Sequence, residues 1–203
     1  MNNSDFEFWF EFGSTYSYIA AERIEGEAEL RGVNVVWRPF LLGPIFSAQG
    51  WNDSPFNLYP VKGRYMWRDM ERLCDKFNLP FRRPAKFPRN GLLAARIACL
   101  EADQRWCAEF VRAVFRANFA EDRDIAETEV VGEILGLLGV EASALIARAN
   151  SPENKERLRG QTERASRLGI FGAPMFRVGE EMFWGNDRLE DAFAFHQRNV
   201  ERK

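Results

Sequence analysis

The sequence predicts an α/β fold in which a large all-helical insertion separates an N-terminal βαβ unit from a C-terminal ββα unit. Three observations predict it. Apolar residues alternate with other residues from Phe6 to Phe12, almost everything from Lys62 to Leu168 has helical period, and strand signals return at Ala173. A 203-residue chain with 46% hydrophobic content can bury one sizeable core, so one folding unit carrying an insertion is expected. Its parts are residues 1–61 with 169–203, and the inserted residues 62–168.

In chain order, Phe6, Phe8, Phe10 and Phe12 alternate with Glu7, Trp9 and Glu11, the period of a strand with one buried face. The period changes at Gly13-Ser14. Ile19, Ala20, Ile24 and Ala28 then fall at helical spacing, which puts Ser14 where an N-cap belongs. Unpaired N–H groups and the helix dipole favour negative charge there. Gly32 suits a C-cap, and Val33–Phe40 reads as a second strand. From Leu41 to Val61 no period is sustained, and Phe46, Trp51, Phe56 and Tyr59 stand among Pro and Gly punctuation. We expect a loop forming an aromatic lid over an apolar cleft.

Helices are expected over about 63–77, 91–102, on to 119, 128–138, 143–149 and 152–168. A strand at Ala173–Val178, a turn at Gly179-Glu180, a strand at Met182–Trp184 and a closing helix after Asn186-Asp187 complete the chain. This order fits a thioredoxin-like core.

Composition narrows the partners. A formal net charge of -2 gives no reason to expect nucleic acid or an electrostatic membrane anchor. No segment is long enough to span a bilayer, and the N-terminal run lacks a basic leader. Cys74, Cys99 and Cys107 form no C-x-x-C, which argues for reduced thiols in a cytoplasmic setting. One histidine and scattered cysteines offer no metal-ligand spacing. His196 is expected to be a surface or packing residue.

Four motifs occur together: F-E-F-G-S-T-Y-S-Y at 10–18, L-L-G-P-I-F at 41–46, G-I-F-G-A-P at 169–174 and F-W-G-N-D-R-L at 183–189. Their order resembles the 2-hydroxychromene-2-carboxylate isomerase family, relatives of kappa-class glutathione transferases and of DsbA-like thiol oxidoreductases. The resemblance covers nearly the whole chain. It implies glutathione as cofactor, a small aromatic substrate, a homodimer, and glutathione-dependent cis–trans isomerisation of an unsaturated aromatic keto acid. The related alternatives are a kappa-type transferase or peroxidase and a catalytically silent binding module.

The resemblance also implies roles for residues. Ser14 would hold the glutathione sulfur, and Pro174 would be cis and present the backbone of Ala173 to the cysteinyl unit. A thiol of ordinary pKa about 8.5 must be shifted to ionise usefully at neutral pH. A hydrogen bond to the charged sulfur contributes roughly 1.5–3 kcal/mol, or about one to two pKa units. A serine that only caps the helix is the plain alternative. Asn186 and Asp187 could cap the closing helix and also receive the γ-glutamyl carboxylate and ammonium. Trp184 is either an ordinary aromatic or part of the cleft wall.

Lys62 matches a lysine of kappa-class relatives and would meet a carboxylate. Phe87, Pro88 and Asn90 match a substrate-lining segment. Two departures stand out: Thr15 occupies a position where many relatives have proline, and Ser47 stands where relatives carry a lysine credited with binding the substrate carboxylate. Ser14 stands in place of the attacking cysteine and no resolving partner lies nearby, which opposes dithiol oxidoreductase chemistry.

Overall fold

Five consecutive residues, Phe6–Phe10, form strand β1, and all five are buried. In the computed structural model, which describes residues 6–201, β1 is a central strand of a four-stranded sheet of order β2-β1-β3-β4. Strand β2 (Val35–Pro39) runs parallel to β1, while β3 (Met175–Val178) and β4 (Glu181–Trp184) continue the sheet antiparallel. Residues 1–5 and 202–203, the outer ends of the expected thioredoxin-like segment, lie outside the described residues.

The expectation that β1 buries one face is corrected: both faces are covered. Phe6, Phe8 and Phe10 join the main core, which is continuous with the helices inserted between β2 and β3. Trp9 is fully buried in a second cluster with Phe40, Ile45, Ala165, Ile170 and Met175. Glu7 shares that face and is buried against three arginines, Arg38, Arg164 and Arg177, and the Trp9 indole N–H. Burial pushes its pKa up, but Arg164, Trp9 and Arg38 outweigh that and hold the carboxyl below its usual value. The strand ends at Phe10, short of the expected Phe12, because the chain turns there into helix α1 (Thr15–Arg31).

Residues 41–61 are corrected as well. They fold into two short helices, α2 (Leu42–Ala48) and α3 (Pro55–Leu58), and α4 (Pro60–Phe77) begins earlier than expected. Pro55 and Pro60, which read as loop punctuation, begin helices, where a missing N–H costs nothing. The remaining helices sit close to expectation: α5 (Leu92–Leu100), α6 (Cys107–Phe119), α7 (Thr128–Leu137), α8 (Ala142–Ala149), α9 (Pro152–Arg167) and α10 (Leu189–Glu201). A 3-10 turn, Asn186–Arg188, precedes α10. Among the described residues no helix is long and apolar enough to cross a membrane.

Candidate functional site

At the end of β1 the chain passes through Glu11-Phe12-Gly13, and Ser14 caps α1 in an extended conformation. The Ser14 hydroxyl oxygen accepts from the Ser17 N–H at 3.2 Å and donates its proton to the Ala173 carbonyl at 3.0 Å. One hydroxyl therefore serves the helix end and reaches a backbone group 159 residues away. Antiparallel register makes this meeting possible: Trp9 pairs with Met175, so the residues after β1 and before β3 lie side by side at one end of the two central strands. The Ala173–Pro174 bond is cis, and the Pro174 carbonyl accepts from the Gly185 N–H at 3.0 Å. The Phe87–Pro88 bond is also cis.

Ser14, Ala173 and Pro174 open onto a cleft of about 1030 Å³. That is the size of small-molecule sites in general. Trp184 and Phe171 form one wall, stacked edge to face at 4.9 Å between centroids. Gly172 is required behind them, since a Cβ there would lie 2.6 Å from the Trp184 indole nitrogen. Phe46 and Trp51, from the region expected to be a lid, contribute another side. Phe87 packs edge-on against Trp67 at 4.8 Å, and its carbonyl accepts from the Asn57 amide at 3.1 Å.

Lys62 lines the cleft, exposed in the first turn of α4, with its ammonium 5.0 Å from the Tyr59 ring centre. Asn186 and Asp187 also line it, but neither caps the 3-10 turn. Gly185 occupies that cap with φ of 110°, and a Cβ there would collide with the Asp187 carboxylate. Asn186 is buried, its carbonyl accepting from Arg23 at 3.4 Å, whereas the Asp187 carboxylate is exposed beside Arg188.

Ser14, Lys62, Phe87, Ala173, Pro174, Trp184, Asn186 and Asp187 thus share one cleft. Asn90 does not join them: its side-chain oxygen accepts from the Leu92 N–H at 2.9 Å and so starts α5. The residue beside it, Arg89, reads in the sequence as loop punctuation but is buried. Its guanidinium holds the Asn118 side chain and carbonyl, the Arg123 carbonyl and Asp122, which anchors the 85–91 segment along the cleft. Ser47, in the place of the expected cation, also lines the cleft. Thr15 is buried, and its hydroxyl has no hydrogen-bond partner among the described residues.

Two further cleft features escaped the sequence reading. Tyr16 donates its hydroxyl to the Asp69 carboxylate at 3.0 Å, and burial together with Asp69 raises its pKa. Glu11 has its pKa pushed up to about 7 by burial, offset only by one hydrogen bond from the Gly13 N–H. The three cysteines are free, buried and outside the cleft lining, and burial drives the Cys74 and Cys107 thiols up to about 12. His196 is a packing residue, edge-on to Phe6. Among the described residues no group of three acids, histidines or cysteines is placed to hold a metal ion.

Comparison with known proteins agrees with this architecture. The model of the DSBA-like thioredoxin domain matches residues 6–194. A 2-hydroxychromene-2-carboxylate isomerase of Sphingobium xenophagum is 32% identical over 188 residues, covering 91% of this chain and 93% of that protein. Human glutathione S-transferase kappa 1 is 26% identical over 198 residues, with 91% and 87% covered. The solved structure of a 2-hydroxychromene-2-carboxylate isomerase superposes with a TM-score of 0.88 at 26% identity, covering 97% of this chain and 96% of that one. The chain belongs to the 2-hydroxychromene-2-carboxylate isomerase family, within the DSBA-like thioredoxin-domain group.

Proposed function

We propose that the protein is a glutathione-dependent isomerase of an unsaturated aromatic keto acid. The observation that carries this reading is the Ser14 hydroxyl, placed at a helix N-terminus, 3.0 Å from the carbonyl that precedes a cis-proline, and open to a large cleft. The donor set fits a tripeptide thiol. Ala173 offers an N–H that has no hydrogen-bond partner among the described residues, suited to an extended peptide lying alongside. Asp187 offers an exposed carboxylate for an ammonium, and the N–H groups near Asn186 suit a carboxylate. Bound glutathione supplies a thiolate that adds to a conjugated alkene, allows rotation about the former double bond, and leaves.

The protein's own contribution is to hold that sulfur. Ser14 can redirect its proton from Ala173 to sulfur, while the start of α1 favours negative charge there. Trp184 and Phe87 supply apolar walls, and Lys62 is a cleft-lining cation placed to meet a carboxylate. The Arg89 guanidinium is already committed to Asn118, Asp122 and Arg123. We read the protein as a cytoplasmic homodimer.

Ser14→Ala tests the reading. Turnover of 2-hydroxychromene-2-carboxylate, followed by absorbance, should fall about tenfold to a hundredfold, the worth of one charge-assisted hydrogen bond in a rate. Full retained turnover would remove the serine from the mechanism. Ser47, an exposed hydroxyl where relatives carry a cation, favours a second reading as a kappa-type transferase or peroxidase. Conjugation of a chlorinated dinitrobenzene without isomerase turnover would select it.

A further inference from the structure

Four acids line the cleft: Glu11, Asp53, Asp69 and Asp187. Three have side-chain partners. Asp53 receives the Asn57 amide, Asp69 the Tyr16 hydroxyl, and Asp187 sits beside Arg188. Glu11 alone has none among the described residues; its single partner is the backbone N–H of Gly13, which donates to Oε2 at 3.0 Å. The other oxygen, Oε1, accepts no hydrogen bond from the described residues.

Position makes that oxygen chemically pointed. Glu11 lies three residues before Ser14, and the Ser14 N–H donates to its carbonyl at 3.0 Å. Its carboxyl rests over Gly13, where a Cβ would lie 3.1 Å from Oε2 and 3.3 Å from Pro88. The group thus sits beside Gly13, one residue before the serine and next to the 88–89 segment, and among the described residues no side-chain cation pairs with it. Of the cleft's cations, Arg89 is committed elsewhere and Lys62 is exposed at the rim.

We propose that Glu11 is the proton acceptor for the thiol held at Ser14. The S–H bond breaks, an O–H bond forms at Oε1, the electron pair remains on sulfur, and the same oxygen returns the proton when the thiol leaves the cleft. The inference rests on the glutathione reading above. Two anions side by side in a cleft with a mostly apolar lining are unfavourable, so a proton passed between them leaves the cleft with the charge it had before. The start of α1 places the negative charge on the sulfur side. A carboxyl that titrates near neutrality suits this exchange, since acid–base groups act best near the working pH.

The decisive measurement is the carbon NMR signal of the Glu11 carboxyl, assigned by its absence in Glu11→Gln. At slightly alkaline pH, glutathione should turn it towards the protonated form, and S-methylglutathione, which has no thiol proton, should leave it unchanged. Glu11→Gln should still bind glutathione, with kcat lower by about a hundredfold and the limb of the pH profile near neutrality lost. A signal unmoved by bound glutathione, or moved equally by both ligands, overturns the assignment. So does a variant with unchanged kcat and pH profile. If the wild-type protein binds neither ligand, the glutathione reading itself has failed and the assignment falls with it.

Discussion

Glu11 and Glu7 sit four positions apart on adjoining stretches of chain, and their surroundings push them in opposite directions. Glu7 faces Arg164, Arg38 and Arg177 and stays ionised, whereas Glu11 faces a cleft and one N–H and holds its proton to about 7. The sign of the consequence follows. Below the ordinary carboxyl pKa both folded and unfolded chains are protonated at Glu11, and nothing is lost. As pH rises from about 4.5 to about 7 the unfolded chain ionises first, so stability falls, by on the order of 3 kcal/mol in all. Above that range the deficit is constant. Glu11→Gln should therefore be as stable as wild type near pH 4 and more stable at neutral pH, as read from denaturant midpoints across the range. A constant difference would mean that Glu11 ionises normally. Alternation in the sequence placed Glu7 and Glu11 on one exposed face; it could not reveal three arginines brought in from β2, α9 and β3.

At the level of elements, the cleft depends on where helices meet. The α3–α4 junction brings the Phe56 carbonyl so close to Gly63 that a Cβ would stand 2.2 Å from it, against backbone that cannot step aside. Gly63→Ala should force the two helices apart and lower stability by about 2 kcal/mol, the usual scale of overpacking. It should also loosen the Asn57 contact to Phe87 and so weaken glutathione-supported turnover. Gly26 in the middle of α1 is the contrast, with nothing within 4 Å of an added Cβ. Gly26→Ala should be neutral or stabilise by up to about 1 kcal/mol. Thermal unfolding of the pair checks both, and equal effects would refute the geometric account. Prolines at 55 and 60 show why this junction was hard to read: the same residue marks a break in a loop and the first position of a helix.

Across the whole molecule, the cleft draws on the turn after β1, on α1, α2, α3 and α4, on residues 87–89 and on the segments flanking β3 and β4, so occupancy should tighten the fold as one unit. Glutathione at about a hundred times its Kd should stabilise by about 2.7 kcal/mol, raising Tm by about 5–10 °C for a chain of this size. No shift at millimolar glutathione would favour a silent binding module. The sequence by itself determined the elements and one chemical clue: period two against period three-point-six, a serine at a helix start, a proline before a strand. These are local properties, carried within a dozen residues. Tertiary structure alone decided that Trp9 and Glu7 are buried, that Asn90 starts a helix outside the cleft, and that Glu11 looks into it. Burial and partnership depend on what other segments bring to the same place. For Ser14 that partner is Ala173, delivered by the pairing of β1 with β3 from the far end of the chain.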